Sequence, residues 1–369
     1  MNVLEPAIDP NSRLTFLLDW ELTMKCNLDC SYCPTGIYGG HDNTTRHPPL
    51  DECVKTIDFM FAYVDLYMQQ RVRGLRRVVL NIYGGEGLNH PNIVEILQQV
   101  RQKHEAYQQS WSLTVAVTTN AIVSKRILDS VMDLVDEFTV SYHTENTAKH
   151  KQQFLDNLLA IRDRGRRVKC VVLMHPEPDL FADAQAMIDW CQEHNIRHLA
   201  RQLDHQSTND DFNYSGEQVV WFDRLYKKRS YQTEPEVEYN ATGDLAASGR
   251  ACCGGRQLCA DQDYQKRTSY VTNQFPGWFC SVNEFFVYIK QVNGEIFVNK
   301  DCKMTFDQTV APIGHLDRAD ELIEFTKNKV LTGEVAPIQC AKPRCHCGLC
   351  APKASDLATY QNIMKKYRQ

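Results

Sequence analysis

The chain lacks any apolar run approaching the ~18 residues that would carry a helix across a bilayer. Its first twenty residues lack a charged segment followed by an apolar one, so no secretory signal is read there. Charge of neither sign dominates: 41 Lys and Arg face 46 Asp and Glu, for a net charge of −5 and a pI near 6.2. That balance argues against a broad nucleic-acid footprint, and the short basic clusters at 162–169 and 227–229 read as solvated helix ends and loops. No internal repeat or low-complexity tract is evident. These absences lead us to expect a cytoplasmic protein with neither a membrane nor a nucleic-acid partner. At 369 residues and 43% hydrophobic, the chain can bury a sizeable core and hold more than one module.

Cysteine is what the chain has in plenty, with fifteen. Without an export signal, metal or redox use is expected before disulfides. Cys53, Cys170 and Cys191 lie in periodic apolar segments and read as buried small hydrophobes. Nine others fall between residues 252 and 350. The remaining three, Cys26, Cys30 and Cys33, form Cys-x3-Cys-x2-Cys in TMKCNLDCSYCPTG, straight after a strand-like stretch. Three thiolates so close suit a [4Fe–4S] cluster with one iron left without a protein ligand, and a vacant metal position is where chemistry happens. A structural zinc site would want a fourth ligand nearby, and the nearest candidate, His41, sits eight residues on in a loop.

Up to residue 203, strand and helix patterns alternate. Strands are expected at 15–23, 77–83, 113–118, 137–142, 168–174 and 196–203, and helices near 51–71, 92–105, 124–134, 149–164 and 181–194. Asp51 is placed as a helix N-cap and Pro91 at a helix start. Six strands separated by helices imply parallel pairing, with ligands at the C-terminal strand ends. The second strand closes on Tyr83-Gly84-Gly85-Glu86, where glycines would let a ligand approach the backbone. Thr118-Thr119-Asn120 ends the third strand, Ser141-Tyr142-His143 the fourth, and Met174-His175 the fifth, while Arg201 lies in the sixth. Arg201 could pair with a carboxylate through its planar fork. His143, His175 and His205 are candidates for proton transfer, although a strand-end histidine is more often simply hydrogen-bonded.

The three-cysteine loop, the aromatic Tyr32 before its last cysteine, and the GGE motif after the second strand resemble the radical S-adenosylmethionine (radical SAM) superfamily. The resemblance implies an α/β fold, a partial (β/α)6 barrel followed by a small cysteine-rich α+β module. It implies that Cys26, Cys30 and Cys33 hold the catalytic [4Fe–4S] cluster and that Tyr32 lies against adenine. Gly84, Gly85 and Glu86 would bind the methionine amino group of S-adenosylmethionine, Asn120 and Ser141 its ribose or carboxylate, and Met174 its adenine, with Arg201 a further contact. Where relatives carry Thr-Asn-Gly, this chain has Ala121 in place of the glycine.

The expected organisation is a barrel over 1–203, a bridge or lid over 204–249, and a cysteine-rich module over 250–369. In that module FFVYIKQVNGEIFVNKD alternates around Asn293-Gly294 and reads as a hairpin flanked by Cys280 and Cys302. The order of cysteine groups and hairpin is similar to the SPASM and twitch extensions of radical SAM enzymes, which hold one or two auxiliary [4Fe–4S] clusters. Here the ligands would come from Cys253, Cys259, Cys280, Cys302, Cys340, Cys345, Cys347 and Cys350; Cys252 adjoins Cys253, so one of the two would serve a given cluster. Nine cysteines equally suffice for one cluster and one zinc. Seven residues separate Gly294 from Cys302, more than the resembled pattern has.

The resemblance implies reductive cleavage of S-adenosylmethionine and hydrogen abstraction from a substrate. The substrate would be a ribosomally made peptide or a protein residue, undergoing cross-linking, side-chain oxidation or epimerisation. The alternative is a dehydrogenase or rearrangement enzyme acting on a sugar, amino acid or cofactor precursor; a non-catalytic metal-binding scaffold is a minor third. An external one-electron donor such as flavodoxin or ferredoxin is implied. With about fourteen residues before the first strand, leader-peptide recognition would fall to a separate protein. No catalytic acid, base or hydrogen donor is assigned.

Overall fold

The computed structural model describes residues 15–33, 46–70, 77–203, 212–232, 275–298, 312–332, 335–340 and 353–368. Its first part alternates strand and helix: β1 (Thr15–Thr23), α1 (Leu50–Gln70), β2 (Arg77–Gly84), α2 (Ile93–Glu105), β3 (Ser112–Thr119), α3 (Lys125–Val131), β4 (Glu137–Tyr142), α4 (Ala148–Asp163), β5 (Arg167–Met174), α5 (Pro178–Glu193) and β6 (Arg197–Gln202). Each strand pairs in parallel with the next. The fold is therefore α/β, with six parallel strands joined through helices. Alternation along the strands divides the sheet's two faces. Phe16, Leu18, Trp20 and Leu22 of β1, Leu80 and Ile82 of β2, and Phe138 and Val140 of β4 are all but fully buried in one core with Ile57, Met60 and Val64 of α1.

The opposite face is polar. Asp19, Asn81, Thr118, Ser141 and Arg201 share this face, Asp19 and Asn81 as register partners. Asn81 Nδ2 donates to Asp19 Oδ1 at 3.0 Å and Thr118 Oγ1 to Asn81 Oδ1 at 3.1 Å. Polar residues inside a half-covered sheet carry a desolvation cost, which these cross-strand bonds offset.

The remaining elements are α6 (Gly216–Gln232), β7 (Phe279–Cys280), β8 (Phe286–Lys290), β9 (Glu295–Phe297), β10 (Gly314–His315), α7 (Ala319–Thr332), β11 (Ile338–Gln339), β12 (Lys353–Ala354) and α8 (Leu357–Arg368). The expected hairpin is present as β8 and β9, and Gly294 in its turn has φ +71°, a conformation that favours glycine. Its placement was not legible in the sequence. β8 pairs in parallel with β1, so one sheet runs β10-β9-β8-β1-β2-β3-β4-β5-β6. Trp20 Nε1 donates to Gln291 Oε1 at 2.9 Å, and Tyr288 Oη to Glu21 Oε2 at 2.7 Å, fastening the hairpin to β1 with buried hydrogen bonds. A second sheet, β11-β7-β12, lies in the C-terminal part. Asp51 is corrected from an N-cap to a residue of the first turn, because α1 begins at Leu50; a carboxylate there still favours the helix N-terminus. Likewise α2 begins at Ile93, with Asn92 rather than Pro91 beside it.

Candidate functional site

The chain leaves β1 at Thr23 and runs across the end of β2 before reaching its three cysteines. Gly85 N donates to Thr23 O at 2.8 Å and Glu86 N to Lys25 O at 2.7 Å. A Cβ on Gly84 would stand 2.0 Å from Thr23 O, and one on Gly85 2.4 Å from Lys25 O. Two glycines let the cysteine loop lie directly on the strand end. The Cβ directions of both glycines are filled by the chain's own backbone.

Glu86 is 1% exposed. Its Oε1 accepts Leu88 N at 3.0 Å and Thr119 Oγ1 at 2.8 Å, and its Oε2 accepts Asn120 N at 2.7 Å. Burial raises its carboxyl to about 7 against the pull of these three donors. Asn120 continues the connection: its Nδ2 donates to Asn27 Oδ1 at 2.8 Å and lies 3.8 Å from Cys26 Sγ, while its Oδ1 accepts Ile122 N at 2.9 Å. Asn27 Nδ2 in turn donates to Ile122 O at 2.7 Å. The ends of β1, β2 and β3 are thus bound into one unit. Ala121, standing where a glycine was expected from the resemblance, has φ +55°, the left-handed region that glycine enters most easily.

Burial pushes the Cys26 thiol up to about 11 and the Cys30 thiol to about 12. Each is raised further by neighbouring thiols, Cys33 acting on Cys26, and Cys26 and Cys33 on Cys30. Converging thiols that resist ionisation suit a strongly positive centre, since coordination deprotonates a thiol outright. Among the described residues, no group of three or more His, Cys, Asp or Glu side chains is gathered around one ion-sized point. Three cysteine sulfurs in one loop suit a four-iron cluster, which takes its thiolates on different irons. The donor set fits the cluster.

Around the second cysteine, His143 Nδ1 lies 3.2 Å from Cys30 Sγ and 2.9 Å from Tyr32 Oη. The Tyr32 and His143 rings stack at 5.9 Å with an interplanar angle of 2°. Burial lowers the imidazole to about 4, so the ring is neutral, and it raises the Tyr32 phenol well above its ordinary range. His175 lies 6.1 Å from Tyr32, and Phe212 meets His175 edge-on. Glu145 clasps the loop from β4's side, accepting Ser31 N at 2.9 Å and Ser31 Oγ at 2.5 Å. Sequence reasoning missed Asn27 and Glu145, which carry no motif signal and act only through the folded loops; Thr119 stood at the expected strand end without a role, and its hydroxyl is found on Glu86.

Ser141 and Arg201 lie on the polar sheet face, Arg201 exposed and Ser141 half-buried. Met174 is on the opposite face, fully buried, and its carbonyl accepts Tyr214 Oη at 2.7 Å. Its side chain is core here, facing away from the polar side of the sheet. Of the C-terminal cysteines, Cys280 is buried in β7 opposite Ile338 and Lys353, and Cys340 is half-buried with its backbone bonded to Gly277 and Trp278. Cys253, Cys259, Cys302, Cys345, Cys347 and Cys350 lie outside the described residues, as does His205.

The fold and site define an α/β domain with a three-thiol loop at the C-terminal strand ends. Residues 20–191 match the model of the radical SAM superfamily. Two solved structures of similar fold are native anSMEcpe with bound AdoMet (TM-score 0.52, 9% identity) and native anSMEcpe with bound AdoMet and the Cp18Cys peptide (TM-score 0.51, 10% identity). Each alignment covers 96% of both chains; at these identities the likeness is one of fold. No curated protein matches the sequence. Among the described residues, no helix is long and apolar enough to cross a membrane.

Proposed function

We propose that this chain is a radical SAM enzyme that oxidatively modifies a residue of a peptide or protein. The observation that carries the reading is the three-thiol loop bound by Glu86 and Asn120 to the ends of β2 and β3 within a radical SAM domain. Cys26, Cys30 and Cys33 would hold a [4Fe–4S] cluster, which supplies one electron for cleaving S-adenosylmethionine to methionine and a 5′-deoxyadenosyl radical that takes a hydrogen atom from the substrate. The protein's part is orientation and exclusion of water. Tyr32, stacked on His143 beside the loop, offers a flat apolar surface for adenine. Gly84, Gly85 and Glu86, which seat the cysteine loop on the strand end, would bind the amino group of S-adenosylmethionine, and Asn120, beside Cys26, would hydrogen-bond its ribose or carboxylate. Ser141 would share the ribose or carboxylate contact with Asn120, and Arg201 would pair with a carboxylate; their position on the polar sheet face supports this reading. The fold shared with anSMEcpe, solved with a bound peptide, supports a peptide substrate. An external one-electron donor is required. The C-terminal cysteines, Cys280 and Cys340 among them, are assigned to auxiliary clusters of a SPASM or twitch-like module.

The test is anaerobic reconstitution followed by a strong one-electron reductant. Wild type should release 5′-deoxyadenosine from S-adenosylmethionine, and the variant with Cys26, Cys30 and Cys33 changed to Ala should not, with iron lower by about one cluster's worth. Cleavage that persists in the triple variant refutes the reading.

A further inference from the structure

β8 extends the parallel sheet, so its C-terminal end lies on the same edge as the ends of β1, β2 and β3. Lys290 is the last residue of that strand and the register partner of Glu21. Two positions after Glu21 comes Thr23, whose carbonyl accepts Gly85 N where the cysteine loop leaves β1. Alternation puts Lys290 on the face of Tyr288, whose hydroxyl reaches Glu21, and so on the polar side of the sheet. The strand end is fixed there: Gln291 N donates to Glu21 O at 3.0 Å, and Gln291 Oε1 accepts Trp20 Nε1 at 2.9 Å.

Lys290 is 8% exposed, yet its ammonium makes no hydrogen bond or ion pair among the described residues. The carboxylates that its register offers are engaged elsewhere. On one side Glu21 Oε2 accepts Tyr288 Oη at 2.7 Å, and on the other Glu295 Oε2 accepts Asn293 Nδ2 at 2.6 Å. Further down β1, Asp19 Oδ1 accepts Asn81 Nδ2 at 3.0 Å. Charges buried this far are almost always paired, because leaving water without a counter-charge is costly. A lysine held at the site's edge with three N–H donors unengaged suits an anionic group of a ligand.

We propose that Lys290 binds a carboxylate of the substrate, so that the enzyme acts on a peptide with an acidic side chain near the modified residue. The inference rests on the proposed function and narrows its substrate class. S-Adenosylmethionine brings a carboxylate of its own. Ser141, proposed to contact that end of the cofactor, stands on β4, with β1, β2 and β3 between it and Lys290. Position therefore favours the substrate's carboxylate.

The probe is a pool of acetylated, amidated peptides in which each member containing Glu has an otherwise identical partner containing Gln. The pool is captured on anaerobically reconstituted protein with S-adenosylmethionine and counted by mass spectrometry. Wild type should retain Glu members roughly tenfold over their Gln partners, Lys290→Met should lose that preference, and Lys290→Arg, which keeps a cation, should hold it. Without peptide, Lys290→Met should melt no lower than wild type, since an unpaired buried ammonium adds nothing to stability. A lower melting point would place the ammonium in a structural pair and overturn the inference. S-Adenosylmethionine and its decarboxylated analogue separate the two sources: if Lys290→Met binds the first roughly tenfold more weakly and the second as wild type does, the carboxylate is the cofactor's and the substrate assignment is overturned. No Glu preference in wild type, or the same preference in Lys290→Met, also overturns it and leaves the proposed function standing. Should Lys290→Met fail to take up iron, Lys290→Gln is read by the same criteria. Failure of wild type to release 5′-deoxyadenosine from S-adenosylmethionine overturns the proposed function, and this inference with it.

Discussion

The Glu86 carboxylate accepts the Asn120 backbone N–H at 2.7 Å, and through this one bond the end of β2 holds the end of β3. Because Asn120 also reaches Asn27 and Cys26, the bond extends to the cysteine loop. Both oxygens of Glu86 are engaged by its own chain.

Glu86→Gln should therefore act first on stability. The amide places an NH2 group against a buried donor, costing roughly 1–3 kcal/mol by chemical denaturation. It should also change the pH profile. The wild-type carboxyl is raised from 4.5 to about 7, so its contribution to stability is fully present below about pH 4.5 and lost as pH rises through about 7. The variant should lack that decline, so its stability should fall less than wild type's between these pH values. A pH dependence identical to wild type would contradict the raised carboxyl.

Gly85→Ala tests the seating of the loop. Its Cβ would meet Lys25 O and Met24 O at 2.4 and 2.5 Å, both backbone atoms that cannot swing aside. The loop must lift, and iron uptake during reconstitution should drop well below wild type. Full iron loading in a folded Gly85→Ala protein would mean that the loop does not rest on β2.

At position 121 the backbone is left-handed and the side chain is fully buried. Left-handed geometry costs an L-residue roughly 1–2 kcal/mol, while glycine adds flexibility to the unfolded chain worth about 0.5–1 kcal/mol. Ala121→Gly should thus be neutral or slightly stabilising in thermal denaturation. Ala121→Val, with a branched side chain in the same conformation, should destabilise by about 2 kcal/mol or more. Equal melting points for the two variants would refute the argument.

Asn157 of α4 donates from Nδ2 to Ala121 O at 2.8 Å and Val123 O at 2.9 Å, both in the segment after β3. Val123 O has a second donor in Gln153, at 2.8 Å. Asn157→Leu should cost roughly 1–3 kcal/mol for the unpaired carbonyl at Ala121. A variant as stable as wild type would show that this segment is held by packing alone.

Periodicity read the strands and helices of the barrel to within a few residues, because alternation and helical spacing are local properties of the chain. The cysteine loop was legible for the same reason, as was the Asn293-Gly294 turn. Asp51 was misplaced because capping depends on where the first helical turn closes, one residue earlier at Leu50. Met174 looked like a strand-end ligand until register placed it on the buried face. Glu145 gave no signal, since its contact with Ser31 spans 114 residues.

The sequence alone determined the alternating barrel elements, the three-thiol motif and the hairpin, since each follows from spacing within a short stretch. Tertiary structure decided which of those residues meet. It joined β8 to β1, turned Glu86 inward onto Asn120 and brought His143 to both Cys30 and Tyr32. Pairing of strands distant in the chain, and contacts across about a hundred residues, depend on which buried hydrogen bonds the whole sheet can satisfy at once, and no local pattern encodes that.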